Sequence, residues 1–282
     1  MNAPPDLPVL VRRFLAEDLG RGDITSETTV DRSARASGRF VAREVLVVSG
    51  LEAARAVFGE VDPEVRFTAL VDEGETAREK VVLAQVEGPA RSILAAERVA
   101  LNLLMRLCGV ATLTRRYVEA VEGTGAAITD TRKTTPGLRA LEKAAVRAGG
   151  GTNHRSGLDD GVLIKDNHLT LAGGVTEAVR RARTGVPHLL KVEVEVEDLE
   201  QLREALDTGA DAILLDNMTP EEVRSAVELV RRRDPGVLIE VSGGIDLETV
   251  RSYAGAGPDL ISVGALTHSA PAADIALEVE PC

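Results

Sequence analysis

The second half of the chain alternates regularly between strand-like and helix-like segments. Short apolar runs occupy residues 126–131, 162–165, 189–196, 211–217, 237–244 and 259–265. Helix-like segments follow them at 138–148, 173–184, 197–208, 219–233, 246–254 and 271–280. Consecutive units of this kind predict a parallel sheet with helices outside it. Two architectures satisfy that pattern, an open doubly wound sheet and an α/β barrel.

The segment LLKVEVEV at 189–196 favours the barrel. Lys191, Glu193 and Glu195 alternate with valines, so the charges share one face of a strand. An open parallel sheet buries both faces under helices, where three charges would be expensive. A barrel interior accepts polar groups near its mouth. Because the chain has fewer units than a regular barrel, we expect an irregular, incomplete one.

The first part of the chain has a different pattern. A short helix is predicted at 7–19, a turn-rich loop at 20–30, strands within 34–48 and 64–88, and a helix between them. Clustered strands of this kind are typical of an α+β domain. A long, largely apolar helix is predicted at 92–122. We therefore predict an N-terminal domain at 1–112 and a barrel domain at 113–282.

Composition excludes several classes of function. The formal net charge is −12, only 2% of residues are aromatic and Trp is absent, which argues against binding to nucleic acid or to anionic membranes. No apolar run has the length of a membrane span. The two cysteines, Cys108 and Cys282, form no disulfide or metal pattern, and Cys108 is expected to be buried and inert. A reducing, cytoplasmic location is the expectation.

One stretch is cationic within this acidic chain. Seven basic residues and three acids lie between Arg132 and Lys165, a local excess that predicts a pocket for a polyanion. Within the stretch, Arg139, Lys143 and Arg147 recur every four residues on a predicted helix, where we expect a solvated stripe.

The carboxyl ends of the barrel strands are where catalytic groups are expected. Cations follow the first two strands, at Arg132, Lys133 and Lys165. His154 and Arg155 follow a Gly run between those strands. The carboxylates Glu195 and Asp216 follow the next two, and Gly-rich loops follow the last two, at 242–244 and 263–265. Such loops suit phosphate, because their backbone N–H groups can approach it closely.

These residues leave alternatives open. Glu195 and Asp216 could hold Mg²⁺ through water and a substrate phosphate, or could pair with Lys191 or Lys165. The set supports an enzyme for a phosphorylated or multiply carboxylated metabolite. An aldolase with Lys165 as Schiff-base nucleophile fits equally.

Longer motifs carry a resemblance to a known family. The run TRKTTPG, GGGTNHR and IKDNH, with EVEVEDLEQL, ILLDN, EVSGGI and VGALTHS, closely resembles quinolinate phosphoribosyltransferases. GRGDITSETTV and AERVALNLLMRLCGVAT extend the similarity into the first domain. The resemblance implies an α+β sandwich-like N-terminal domain, an irregular α/β barrel and a homodimer with shared sites. It also implies Mg²⁺-assisted joining of quinolinate to phosphoribosyl pyrophosphate, giving nicotinate mononucleotide, pyrophosphate and CO₂.

The same resemblance implies roles for individual residues. Quinolinate carboxylates would be held by Thr131, Arg132, Lys133, His154 and Arg155, with Arg98 supplied by the partner subunit. Lys133, Lys165, Glu195 and Asp216 would serve the reacting centre, and Glu195 and Asp216 the metal, indirectly. The phosphates would be bound by Ser242, Gly243, Gly244, Val263, Gly264 and Ala265.

Three other functions are compatible with parts of the pattern. A related transferase could accept a monocarboxylate such as nicotinate. A Schiff-base aldolase would be trapped by borohydride on Lys165. A sensor of a phosphorylated metabolite would bind its ligand without turnover.

Overall fold

A computed structural model describes residues 6–282 of the chain. Over that range no helix is both long and apolar enough to cross a lipid bilayer. The chain divides into two compact units. The first contains residues up to Arg115 together with Thr135–Gly150 and Ser269–Cys282, and the second contains Arg116–Thr134 and Gly151–His268. The predicted boundary at residue 112 falls within one long helix, Ala90–Ala120, and stays a prediction.

The first unit is built on antiparallel strands, as its clustered strand pattern predicts. The sheet order is β12-β1-β5-β3, and β2 pairs separately with β4. The strands are β1 (Arg35–Ala42), β2 (Leu46–Val47), β3 (Arg66–Ala69), β4 (Thr76–Ala77), β5 (Val82–Pro89) and β12 (Ile275–Pro281). The helices are α1 (Leu7–Leu19), α2 (Ile24–Thr29), α3 (Leu51–Val61), α4 (Ala90–Ala120) and α5 (Arg139–Ala148).

Aromatic packing forms part of the core of the first unit. The rings of Phe40 and Phe58 meet edge to face with centroids 5.9 Å apart, and Phe67 lies 5.9 Å from each. Cys108 is also buried here, as predicted, and that burial raises the pKa of its thiol to about 12. Such a thiol is chemically quiet at neutral pH.

Two predictions for segments of this unit were wrong. Residues 20–30 contain the helix α2, which begins after Asp23, whose carboxylate accepts the Ser26 N–H at 3.0 Å. The predicted helix at 271–280 is instead the strand β12, which pairs antiparallel with β1 from Ile275 opposite Ala42. Ile275, Leu277 and Val279 are apolar at every second position, which is the period of a strand. Because the edge of β1 is available for pairing, this segment forms a strand.

The predicted solvated stripe on α5 was also wrong. Lys143 is only 3% exposed and Arg139 is half-buried, so Arg147 alone of the three is exposed. Glu142 on the same helix is fully buried and accepts hydrogen bonds from Arg106 at 2.8 Å and the Thr135 hydroxyl at 2.8 Å. Buried charged groups with such partners are compatible with a packed helix. Periodicity alone does not separate this case from a solvated face.

The second unit contains the predicted parallel sheet of six strands, in the order β6-β11-β10-β9-β8-β7. The strands are β6 (Ala127–Thr129), β7 (Val162–Ile164), β8 (Val192–Val196), β9 (Ala212–Asp216), β10 (Leu238–Ser242) and β11 (Leu260–Ser262). The helices are α6 (Asp166–Ala172), α7 (Val175–Gly185), α8 (Leu199–Asp207), α9 (Pro220–Arg233), α10 (Val250–Ala254) and α11 (Ala265–His268). The short helices α6 and α11 were not predicted.

The barrel is incomplete, as predicted. Among residues 6–282 no ladder joins the edge strands β6 and β7, although Thr129 forms an isolated parallel bridge with Thr152. On β8 all three valines are buried, while Glu193 and Glu195 occupy the opposite face together. The alternation in the sequence therefore separates the packed side of the strand from the polar interior.

Local sequence signals set the ends of the helices that cover this sheet. Asp198 accepts the N–H groups of Glu200 and Gln201, each at 2.8 Å, at the start of α8. Thr219 and Glu222 form a reciprocal capping box at the start of α9, which has Pro at its first position and three Arg in its last turn. The capping side chains accept hydrogen bonds from free backbone N–H groups, and the arginines interact favourably with the negative end of the helix dipole. The helices consequently start close to the carboxyl ends of the strands.

Candidate active site

The carboxyl edge of the parallel sheet collects most of the predicted site residues. Asp216 ends β9 and Ser242 ends β10, and the two are direct partners in the ladder. Glu195 lies near the end of β8, and Lys165 directly follows β7. Gly264 follows β11 and precedes α11. Because parallel strands end at the same edge, side chains distant in sequence meet there.

Lys165 and Glu195 form an ion pair at this edge, through Nζ and Oε2. Glu195 is largely buried, whereas the Lys165 side chain is 45% exposed. Of the alternatives for Glu195, the structure realises pairing with Lys165. The pair places a cation and a carboxylate side by side at the carboxyl edge of the sheet. A role of Glu195 toward a metal stays a prediction.

Asp216 is the second carboxylate at the edge. Burial raises its pKa, the nearby cations Lys165 and Lys133 lower it, and Glu197 raises it further. Its Oδ2 accepts the Asn217 side-chain amide at 2.6 Å. Since burial outweighs the surrounding cations, a further positive charge would stabilise the ionised form. Asp216 therefore offers a hard oxygen in a place that favours a cation.

The Gly-rich loops bring backbone close to this edge. Gly243 has a φ of 102°, and a Cβ there would lie 2.8 Å from the backbone nitrogen of Asn217. A Cβ on Gly264 would lie 3.0 Å from Cδ of Lys133. Both positions therefore favour glycine. The predicted phosphate-binding residues are Ser242, Gly243, Gly244, Val263, Gly264 and Ala265, and they form these two loops.

The segment after β6 is tied to the last of these loops. The Thr267 hydroxyl donates to the Lys133 carbonyl at 2.9 Å, and Val263 N–H donates to the Thr129 carbonyl at 3.0 Å. The Thr131 hydroxyl accepts the Lys133 N–H at 3.0 Å. Lys133 is therefore held beside Gly264, and its charge acts on Asp216.

Arg132 and Arg155 form the cationic part of the site. Burial lowers the pKa of Arg155, and the neighbouring Arg132 cation lowers it further. Nε of Arg132 is buried and lacks a hydrogen-bond partner among the described residues. An unsatisfied guanidinium nitrogen beside a second guanidinium is favourable only when an anion occupies the space. This is the geometry expected of a carboxylate-binding pocket.

His154 lies between carboxylates. Its Nε2 is 3.2 Å from Glu193 and 3.7 Å from Glu240, and its backbone N–H donates to Asp130 at 2.9 Å. The hydrogen bond to Glu193 raises the pKa of His154, burial lowers it, and the charge of Glu240 raises it again. The role implied for His154 toward a substrate carboxylate stays a prediction.

A cavity of about 660 Å³ lies next to this histidine. His154, Arg155, Glu193 and Glu240 contribute to its lining, and residues at the amino ends of the strands complete it, among them Lys191, Ala212, Leu238 and Leu260. This cavity therefore lies toward the amino ends of the strands. His154 and Arg155 line it, whereas Lys165, Glu195 and Asp216 do not.

Three acids that the structure places around the site are not among the predicted site residues. Asp130 and Glu240 are buried, and Glu193 is nearly so. The signal that could have found Glu193 is the alternation of EVEV, and LIEVS in β10 repeats it around Glu240. Arg98, in contrast, was predicted as a site residue and lies exposed on α4 of the first unit. Its predicted contribution to a partner subunit stays a prediction.

Comparison with known proteins identifies the family. The family model "Quinolinate phosphoribosyl transferase, C-terminal domain" matches residues 110–278, and the corresponding N-terminal domain matches residues 23–108. The chain belongs to the quinolinate phosphoribosyltransferase family. The resemblance drawn from the TRKT, NHR and IKDNH motifs is thereby confirmed.

Individual relatives align with this chain over almost the full length of both proteins. The chain is 46% identical to nicotinate-nucleotide pyrophosphorylase [carboxylating] of Mycobacterium leprae, covering 95% of each chain. It is 42% identical to the probable enzyme of that name from Bacillus subtilis, covering 97% of this chain and 93% of the relative. The solved structure of nicotinate-nucleotide pyrophosphorylase from Francisella tularensis matches with a TM-score of 0.94 at 38% identity, covering 99% and 98%.

Proposed function

We propose that this chain transfers the phosphoribosyl group of phosphoribosyl pyrophosphate to quinolinate, with loss of CO₂, in the biosynthesis of NAD. The products are nicotinate mononucleotide, pyrophosphate and CO₂. Membership of the family supports this activity. The observation that carries it within the site is the pair of neighbouring guanidinium groups, Arg132 and Arg155, one with a buried nitrogen that lacks a partner among the described residues.

Quinolinate is a dianion, and its recognition would use these two groups. A guanidinium presents parallel N–H donors that match a carboxylate in a bidentate manner. Thr131, Lys133 and His154 would contribute to the same pocket. Transfer of the dianion out of water is unfavourable unless such charges replace its hydration. The pocket would thus select a dicarboxylate over a monocarboxylate, because one carboxylate would leave a buried cation unpaired.

Displacement of pyrophosphate develops positive charge on the ribose carbon and negative charge on the leaving group. Glu195 and Asp216 lie at the edge where the ribose would sit, and their carboxylates would stabilise the cationic sugar. The loops at 242–244 and 263–265 would bind phosphate oxygens through backbone N–H groups. Lys133 and Lys165 both lie near Asp216. Their positive charges would offset the negative charges of the substrates where the sugar meets the ring.

Decarboxylation follows from the first step. Once the ring nitrogen bears the ribose it is cationic, and the carbanion left by departing CO₂ is adjacent to that charge. The electron pair of the broken C–C bond stays on the ring carbon, which then takes up a proton. The protein's part is to hold the dianion in position and to exclude water.

Mg²⁺ is proposed as the cofactor. Asp216 fits a hard divalent cation, since burial raises its pKa despite two nearby lysines, and Glu195 presents a second carboxylate close by. Binding would be largely through water and substrate oxygens. When bound, the ion would supply neutralisation of the pyrophosphate charge.

We further propose a cytoplasmic homodimer in which the partner subunit's Arg98 joins the carboxylate pocket. The exposed position of Arg98 on α4 supports this proposal. Arginine is enriched in protein interfaces, so an exposed arginine is suited to act across one.

One rival is disfavoured by the geometry of Lys165. Schiff-base lysines typically stand in a desolvated, apolar pocket or next to another cation. Lys165 is instead 45% exposed and ion-paired with Glu195. The transferase reading therefore suits Lys165 better than the aldolase reading.

The test is an assay of pyrophosphate and CO₂ release with phosphoribosyl pyrophosphate, Mg²⁺ and either quinolinate or nicotinate. We expect equal amounts of both products with quinolinate and neither with nicotinate. Pyrophosphate release with nicotinate would assign a monocarboxylate transferase. Binding of quinolinate without any product would assign a sensor.

A further inference from the structure

Two buried glutamates inside the second unit face the same histidine. Glu193 on β8 and Glu240 on β10 approach Nε2 of His154, although β9 separates their strands. Glu240 is only 2% exposed, and its Oε1 has no hydrogen-bond partner among residues 6–282. Burying two carboxylates so close together is unfavourable. The arrangement needs a reason beyond packing.

The histidine is held by hydrogen bonds at both ring nitrogens. Nε2 lies 3.2 Å from Oε2 of Glu193, and Nδ1 accepts the backbone N–H of Arg155 at 2.7 Å. Both bonds are satisfied together only when the single ring proton is on Nε2. In the opposite tautomer, the ring N–H at Nδ1 would point at the backbone N–H of Arg155, and the two donors would repel each other. The carboxylate at Nε2 therefore selects the tautomer that can accept from Arg155.

Arg155 is consequently fixed at both ends. Its backbone N–H donates to His154, and its guanidinium donates to the Gly161 carbonyl at 3.2 Å. Asp130 secures the preceding segment by accepting the Asn153 amide at 2.6 Å and the His154 N–H at 2.9 Å. The orientation of Arg155 thus depends on a chain of contacts that leads back to Glu193.

We propose that Glu193 and Glu240 are positioning residues for substrate binding, which act through His154 to hold Arg155 in the orientation that receives a carboxylate of the pyridine dicarboxylate. Glu193 makes the direct hydrogen bond, and Glu240 adds a second carboxylate 3.7 Å from the same ring nitrogen. This inference rests on the proposed function. The charged groups that face His154 are Glu193 from β8, Glu240 from β10, Asp130 after β6 and Arg155 of its own segment, and Lys165 after β7 acts on Glu240.

The kinetic test compares Glu193→Gln and Glu240→Gln with the wild type and with Glu228→Gln, an exposed acid on α9. We expect KM for quinolinate to rise about ten-fold in Glu193→Gln, the effect of weakening one charged hydrogen bond. KM for phosphoribosyl pyrophosphate should change less than about two-fold. Glu193→Asp retains the carboxylate and should recover part of the loss. An equal rise in both KM values would overturn the proposal.

A spectroscopic test separates positioning from loss of folding. Nitrogen-15 spectra of the imidazole groups, with His154 assigned from a His154→Gln variant, report the tautomer directly. In spectra recorded at a pH above the raised pKa of His154, we expect a neutral Nε2–H ring in the wild type and a mixture of tautomers in Glu193→Gln. An unchanged tautomer in that variant would refute the mechanism even if KM rose.

A bound metal is the alternative occupant of this cluster, because the three ligand atoms lie within 4.8 Å of one another. Mass spectrometry of the purified wild type for zinc, manganese and iron decides the point. Stoichiometric metal that Glu240→Gln loses would overturn the proposal. If the wild type releases no pyrophosphate with quinolinate, the proposed function itself fails, whereas normal wild-type kinetics with unaffected variants rejects only this inference.

Discussion

Replacement of Glu240 by Gln should make the stability of the protein less dependent on pH. The pKa of Glu240 is raised from 4.5 to about 7, because burial and the charge of Glu193 outweigh the lowering effects of His154, a hydrogen bond with Ser262 and Lys165. Between those two pH values the folded protein holds a proton that the unfolded chain has released. The free energy of unfolding therefore falls as pH rises from about 4.5 to 7, and the loss is complete above pH 7.

The size of the effect follows from the same values. The difference between a pKa of about 7 in the folded protein and 4.5 in the unfolded chain corresponds to a loss of at most ~3.5 kcal/mol, since each tenfold change in proton affinity is worth about 1.4 kcal/mol. His154 acts in the same direction. Its folded pKa is raised, so its stabilising contribution is present below about 6.5 and is lost as pH rises through the folded value. Glutamine at 240 cannot ionise and also reduces the field at His154.

The measurement is urea unfolding followed by circular dichroism at pH 5 to 8, at fixed protein concentration. We expect wild type and Glu240→Gln to have similar free energies of unfolding at pH 5. The variant should be more stable at pH 8, by ~1–3 kcal/mol. Glu228→Gln should follow the wild type throughout. If wild type and Glu240→Gln lose stability in parallel, Glu240 does not ionise in this range and the reasoning is wrong.

Three further predictions concern the site. Arg132→Ala should weaken quinolinate binding by roughly 2–4 kcal/mol, as loss of a charge-assisted bond predicts, and leave phosphoribosyl pyrophosphate binding largely intact; equal losses in calorimetry would count against the assignment. Arg98→Ala and Lys133→Ala should each be inactive and regain partial activity when mixed, and no recovery after verified subunit exchange would reject a shared site. Gly243→Ala should weaken phosphoribosyl pyrophosphate binding in calorimetry more than Gly209→Ala, since both have positive φ but Gly209 faces open space; equal effects would remove the crowding argument.

Several features of the fold followed from the sequence alone. The periods of apolar residues predicted all six parallel strands. The alternation in EVEV predicted a polar interior, which the buried valines and inward glutamates of β8 confirm. The same approach was wrong at 271–280 because pairing with β1 stabilises a strand there, and a sheet edge contributed from elsewhere in the chain leaves no local signal.

The candidate site was likewise predicted in part from the sequence and decided in part by the tertiary structure. The sequence by itself determined which residue types lie at the strand ends, because parallel strands place their carboxyl ends at one edge. Only the tertiary structure decided which of them meet. Lys165 could pair with Asp216, Glu195 or a substrate, and the ladder register brings it to Glu195. Likewise, the sequence around Glu240 predicts only a strand, and the tertiary structure places its carboxylate 3.7 Å from His154. Such contacts depend on how strands from distant parts of the chain are arranged, which no local pattern encodes.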